Sequence, residues 1–140
     1  LFIPETPLFR IFFLLSIISH APSKNEPIIY RSSYEKKFIR WLENSDKVLH
    51  WGSECLCIPY TGADGNPHRY YPDFVVEFTN GTKSVIEIKP YSQTVRPDPR
   101  CQWDVEEYKK NVLKWVAATE FCKKHGLTFQ IVTEHTIARL

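Results

Sequence analysis

The sequence has no methionine, position 1 included, and only five glycines against ten prolines. The missing initiator leads us to expect a processed product or a reading frame without its true start, and the surplus of proline points to stiff loops. No C-x-x-C pair occurs among the four cysteines, Cys55, Cys57, Cys101 and Cys122. That removes the usual spacing of a zinc site and leaves reduced, mostly buried thiols as the expectation, with Cys55 and Cys57 on one face of a strand. Surplus charge is lacking too: 18 Lys+Arg stand against 16 Asp+Glu, a net +2, which excludes a histone-like protein that binds by charge alone. The apolar run at 11–18, IFFLLSII, falls far short of the ~20 residues of a membrane-spanning helix, so no stable membrane association is expected.

What is present is enough for one domain. A chain of 140 residues buries roughly two-thirds of the surface its unfolded form exposes. With 43% hydrophobic and 24% charged residues, wholesale disorder is excluded. Arg10 before the apolar run and Ser19-His20-Ala21 after it loosely copy a secretory signal. The apolar, acidic start at 1–8 argues instead for an appended or packing segment. A polar, proline-bounded stretch at 22–27 reads as a linker. We therefore divide the chain into an extension of unknown role at 1–27 and a domain at 28–140.

Within that domain, Ser32-x-x-Glu35 fits a capping box opening a helix that runs to Asn44. A strand is expected at 54–60, then a loop at 61–67 dense in turn residues. A second strand is expected at 68–78 and a third at 83–89, joined by a turn at Asn80-Gly81. A proline-bearing loop covers 91–100. A long helix at 103–125 then stops at Gly126, its inner stripe expected at Tyr108, Val112, Trp115, Thr119 and Cys122. A last strand at 127–133 closes the order helix, three antiparallel strands, helix, strand, an α/β domain with one sheet flanked by helices.

Three acids occupy positions where packing favours apolar side chains. At about 100° per residue, Glu35 falls inside the apolar arc of the first helix formed by Tyr34, Phe38, Ile39, Trp41 and Leu42. A glutamate there needs a cation, a hydrogen bond or a metal, unless it only closes the capping box. Asp73 follows Pro72 at the head of an apolar run, in a setting that disfavours Asp; a strand-end cap is the plainer reading. Glu87 shares a strand face with Val85 and Lys89, either as a surface ion pair with Lys89 or as a ligand beside its catalytic partner.

The hairpin register decides whether two of these acids meet. A two-residue Asn80-Gly81 loop would set Asp73 opposite Ile88, pointing away from Glu87. A three-residue Thr79-Asn80-Gly81 loop with left-handed Gly81 would set Asp73 opposite Glu87. Glycine at the third loop position favours the second register, so the two carboxylates are expected to converge. Carboxylates that close repel unless a cation lies between them, and hard oxygen ligands suit Mg²⁺ or Mn²⁺.

Glu35, then Pro72-Asp73, then Glu87-Ile88-Lys89 resemble the PD-(D/E)xK nuclease signature with its helix-borne glutamate. The surrounding residues are more specific. Ile29-Tyr30-Arg31-Ser32-Ser33-Tyr34-Glu35, His50-Trp51-Gly52-Ser53-Glu54, Ile58-Pro59-Tyr60, His68-Arg69-Tyr70-Tyr71-Pro72-Asp73-Phe74, and Ile86-Glu87-Ile88-Lys89-Pro90 with Gln93 resemble the head completion nucleases of tailed phages. Those are in turn similar to the catalytic domain of TnsA-type transposon endonucleases.

The resemblance implies a restriction-endonuclease-like core, a mixed central β-sheet flanked by helices, that cuts DNA with Mg²⁺ or Mn²⁺. It implies Glu35, Asp73, Glu87 and the backbone carbonyl of Ile88 as metal ligands. Lys89 would orient or deprotonate the attacking water. Further DNA contacts are expected from His68, Arg69, Lys83 and Gln93, whereas the lysines of the long helix, Lys114 included, read first as its solvated face, with a DNA contact as the alternative. Tyr70 and Tyr71 read as core, with stacking on bases as the alternative. The implied setting is an infected bacterial cytoplasm or the virion, with phage head or neck proteins as partners. The alternatives are a transposon end-cleaving subunit and a non-catalytic DNA-binding neck protein.

Overall fold

The computed structural model describes residues 33–140. The expectations for 1–27, and for Ser32 as a helix cap, lie outside the described residues. Helix α1 is Ser33–Asn44, burying Phe38, Ile39 and Leu42 on one face. Strands β1 (Val48–Ser53), β2 (Ile58–Thr61), β3 (Pro67–Tyr70), β4 (Phe74–Phe78) and β5 (Lys83–Ile88) follow. A short 3-10 turn at Tyr91–Gln93 leads to helix α2 (Gln102–His125), strand β6 (Thr128–Val132) and a one-turn helix α3 (Glu134–Ile137). Among the described residues no helix is long and apolar enough to cross a membrane.

The main sheet has the order β1-β4-β5-β6, with β1, β4 and β5 antiparallel and β6 parallel to β5. The expected single strand at 68–78 is instead two strands in two sheets. β3 pairs with β2 in a separate ribbon, and β4 enters the main sheet only after Tyr71-Pro72-Asp73. Pro72 has no N–H to give a ladder, and it is fully buried where the chain changes sheet.

Both faces of the main sheet are covered, and the period of two sorts its side chains. Phe74, Val76, Ile86 and Ile88 pack with Phe38, Ile39 and Leu42 of α1 and with Ile137 of α3. Val75 and Val85 pack on the other side with Ile58, Tyr70, Ala118 and Cys122. Asp73 and Glu87 follow the parity of Val75 and Val85, which assigns them to the α2 side.

Helix α2 ends as expected: Gly126 adopts φ 67°, and its N–H is donated to the carbonyl of Cys122. Its inner stripe differs from expectation. The buried positions are Asn111, Ala118 and Cys122, while Thr119 is exposed. The buried face is thus turned by about 60° at 100° per residue. Small side chains let α2 approach the sheet closely, with Ala118 fully buried, and the bulkier Val112 and Trp115 flank the contact.

The thiols also differ from expectation. All four are free, but only Cys122 is buried, Cys55 is partly so, and Cys57 and Cys101 are exposed. Cys55 and Cys57 precede β2 rather than lying on it, so no shared strand face holds them inward.

Candidate active site

The pairs Phe74 with Ile86, Val75 with Val85, Val76 with Ser84 and Glu77 with Lys83 fix the β4–β5 register. Phe78 N–H donates to the Thr82 carbonyl at 2.8 Å, closing a three-residue loop of Thr79, Asn80 and Gly81. Gly81 takes φ 88°, a left-handed conformation that glycine adopts without a Cβ penalty. Extended by one step, the same ladder sets Asp73 opposite Glu87. This is the register expected from the glycine position.

Asp73 lies where the chain leaves β3 for β4. Its Oδ2 accepts the N–H of Ile88 at 2.7 Å, and its carbonyl accepts the N–H of Glu54 at 3.0 Å. The side chain thus takes the backbone donor of the residue after Glu87, fixing the aspartate against the end of β5. Glu54 has φ 50°, in the left-handed region where a side chain carries a conformational cost.

Glu87 is 7% exposed. Tyr70, at the end of β3, donates its hydroxyl to Glu87 Oε2 at 2.7 Å. The Lys89 ammonium lies 3.7 Å from Glu87 Oε1. Burial, and then the negative charge of Asp73, push the Glu87 carboxyl up to about 7 against the opposing pull of Tyr70, Lys89 and Lys114. Burial and the neighbouring Glu87 push the Tyr70 phenol upward as well, so its hydroxyl stays a donor.

These groups line one open pocket of about 630 Å³, whose wall comprises Glu35, Glu54, Arg69, Tyr70, Tyr71, Asp73, Glu87, Ile88, Lys89 and Lys114. Glu35 reaches it from the first turn of α1, partly buried. Glu35, Asp73, Glu87, Ile88 and Lys89 therefore share one cavity although 54 positions separate the first from the last. Among the described residues, no three of His, Cys, Asp and Glu stand close enough to hold an ion between them as they are.

Of the four expected DNA contacts outside the acids, Arg69 lines the pocket and the others do not. His68 pairs with Asp64 at 3.0 Å on the ribbon's exposed loop. Lys83 lies 4.0 Å from Glu77 at the far end of the hairpin. Gln93 faces a separate cleft beside Trp103 and Tyr108.

Sequence reasoning missed two contributors. Tyr70 is core, as expected, whereas Tyr71 is exposed against expectation, and the Tyr70 hydroxyl orients Glu87. Lys114 was assigned to the solvated face, yet it is half-buried, lines the pocket and lies 5.6 Å from the centre of the Tyr70 ring. Burial first, then the charge of Lys110, hold its ammonium below the usual lysine range. The small residues Asn111, Ala118 and Cys122 were the available signal: Lys114 falls on their side of the helix.

Comparison with known proteins gives two matches. The family model for the TnsA-like endonuclease N terminal fits residues 45–134, a stretch that holds Asp73, Glu87 and Lys89 and leaves Glu35 outside. The chain is also 34% identical over 124 residues to a protein of Enterobacteria phage T4 named head completion nuclease, an alignment covering 81% of this chain and 83% of that one. No solved structure matches.

Proposed function

The chain belongs to the TnsA-like endonuclease family, and from that premise we propose that it is a divalent-metal-dependent DNA endonuclease of phage head completion, with the pocket at the end of β4 and β5 as its catalytic centre. The observation that carries this reading is the hairpin register, which turns Asp73 and Glu87 to the same side of the sheet next to Lys89. The T4 relative's name supplies the phage setting. The match to most of that relative's length favours this setting over a transposon end-cleaving role.

The donor set fits a hard cation. The pocket offers carboxylate oxygens and no imidazole or thiolate, the chemistry of Mg²⁺ or Mn²⁺ rather than zinc. Mg²⁺ keeps several waters and binds through one or two carboxylates together with substrate phosphate, so a pair made of Asp73 and Glu87 meets its demand. The Ile88 carbonyl would assist, and Glu35 would complete the outer side. When bound, such an ion supplies a nucleophile at neutral pH and a countercharge for the phosphate.

The protein's own groups prepare that step. Ile88 N–H holds Asp73 by Oδ2 where its side chain lines the pocket. Tyr70 occupies Glu87 Oε2 and leaves Oε1 facing Lys89. The Lys89 ammonium orients the attacking water and offsets charge developing on the phosphate. Arg69 meets a neighbouring phosphate from the ribbon side.

The test is plasmid cleavage. The protein nicks or linearises DNA with Mg²⁺ or Mn²⁺ and not with EDTA. Asp73→Asn and Lys89→Ala abolish cutting while circular dichroism and DNA binding persist. Cutting at the parent's rate by either variant removes the site assignment, and binding without any cutting by the parent favours a non-catalytic neck protein.

A further inference from the structure

Among the lysines on the body of α2, Lys114 stands apart. Lys109, Lys110, Lys123 and Lys124 are exposed, whereas Lys114 is half-buried and lines the acid pocket. Among the described residues no carboxylate lies within ion-pairing distance of its ammonium. It rests instead 5.6 Å from the centre of the Tyr70 ring, a cation–π distance. That ring is itself immobilised, because Tyr70 is buried and its hydroxyl is tied to Glu87 Oε2.

A cation withdrawn from water without a close counter-ion costs folding free energy. Lys110 and Lys89 add like charge to it, while Glu87 across the pocket and Glu107 on its own helix attract it from beyond ion-pairing distance. Such a group is explained by an anion that arrives from outside. The pocket already carries Lys89 on β5 and Arg69 on β3, so Lys114 adds a third cation from a third element. Resting on the nuclease reading, we propose that Lys114 is a substrate-contacting residue that binds a DNA backbone phosphate from the α2 wall, held in place by the face of Tyr70.

The experiment measures DNA affinity against salt by fluorescence anisotropy in EDTA. It uses the parent, Lys114→Met, Lys114→Arg and, as a control on the exposed face of α2, Lys110→Met. Each neutralised phosphate contributes about 0.9 to the slope of log affinity on log salt. Lys114→Met therefore lowers the slope by about 1 and raises KM for cleavage, Lys114→Arg restores both, and Lys110→Met leaves both unchanged. Urea midpoints stay at or above the parent's for Lys114→Met, since a half-buried charge is removed, which separates a phosphate contact from a merely structural role.

An unchanged slope for Lys114→Met, or an equal drop for Lys110→Met, overturns the assignment. A parent that cuts DNA while Lys114→Met keeps its slope refutes only this inference. A parent that cuts nothing with Mg²⁺ or Mn²⁺ refutes the nuclease reading beneath it.

Discussion

Glu87→Gln should make the protein more stable at alkaline pH in the absence of metal. In the unfolded chain this carboxyl ionises near 4.5, and in the fold near 7. Between those values the folded state holds a proton that the unfolded state has released, so stability falls as pH rises through this window. The contribution is fully present below 4.5 and gone above about 7. At about 1.4 kcal/mol per pH unit, the gap amounts to about 3 kcal/mol. The groups facing Glu87 are Asp73 from the head of β4, Tyr70 from β3, Lys89 from the end of β5 and Lys114 from α2.

Glutamine keeps an acceptor for the Tyr70 hydroxyl and removes the ionisation. Urea unfolding followed by tryptophan fluorescence in EDTA, at pH 5 and pH 8, measures the effect. The parent loses about 2 to 3 kcal/mol more than Glu87→Gln across that interval, and subtracting one protein from the other cancels the titrating groups that do not interact with Glu87. Millimolar Mg²⁺ or Mn²⁺ restores much of the parent's loss at pH 8, because a nearby cation favours the charged carboxylate, and does little for the variant. Equal pH slopes in the two proteins would refute the view that Glu87 is buried under the influence of Asp73.

Two further outcomes follow from the same geometry. Gly81→Ala meets no atom within 4 Å, so its cost is conformational alone, about 1 kcal/mol for a left-handed alanine; an unchanged urea midpoint would contradict the three-residue loop. Tyr70→Phe frees Glu87 Oε2 to rotate and should weaken Mn²⁺ binding several-fold by isothermal titration calorimetry, while the retained ring leaves Lys114 seated; unaltered Mn²⁺ affinity would show that the phenol does not orient the acid.

The hairpin was legible because one glycine decides it. Gly81 at the third loop position requires a left-handed residue, and that choice alone brings Asp73 opposite Glu87. Helix α2 was legible in extent, since Gly126 ends it, but not in rotation. Its apolar residues spread around much of the helix, and the face that packs is the one whose small residues permit close approach. That misplacement hid Lys114.

The split of the expected 68–78 strand was marked by Pro72. The residues on either side of it, Tyr70 and Phe74, are each suited to a sheet, so local pattern could not reveal that they belong to different ones. Tyr70's bond to Glu87 depends on how the β2–β3 ribbon folds over the main sheet. That is a long-range arrangement with no counterpart in local periodicity. The acids themselves were conspicuous because each is costly where it stands unless it has a partner.

The most direct measurement is a crystal of the protein grown with Mn²⁺ and examined by anomalous diffraction. The account predicts a peak at about 2.1 Å, a typical hard-cation distance, from oxygens of both Asp73 and Glu87 on the side that Lys89 faces. Mn²⁺ bound elsewhere, or a pocket that stays empty at millimolar Mn²⁺ with both carboxylates ionised, would contradict it.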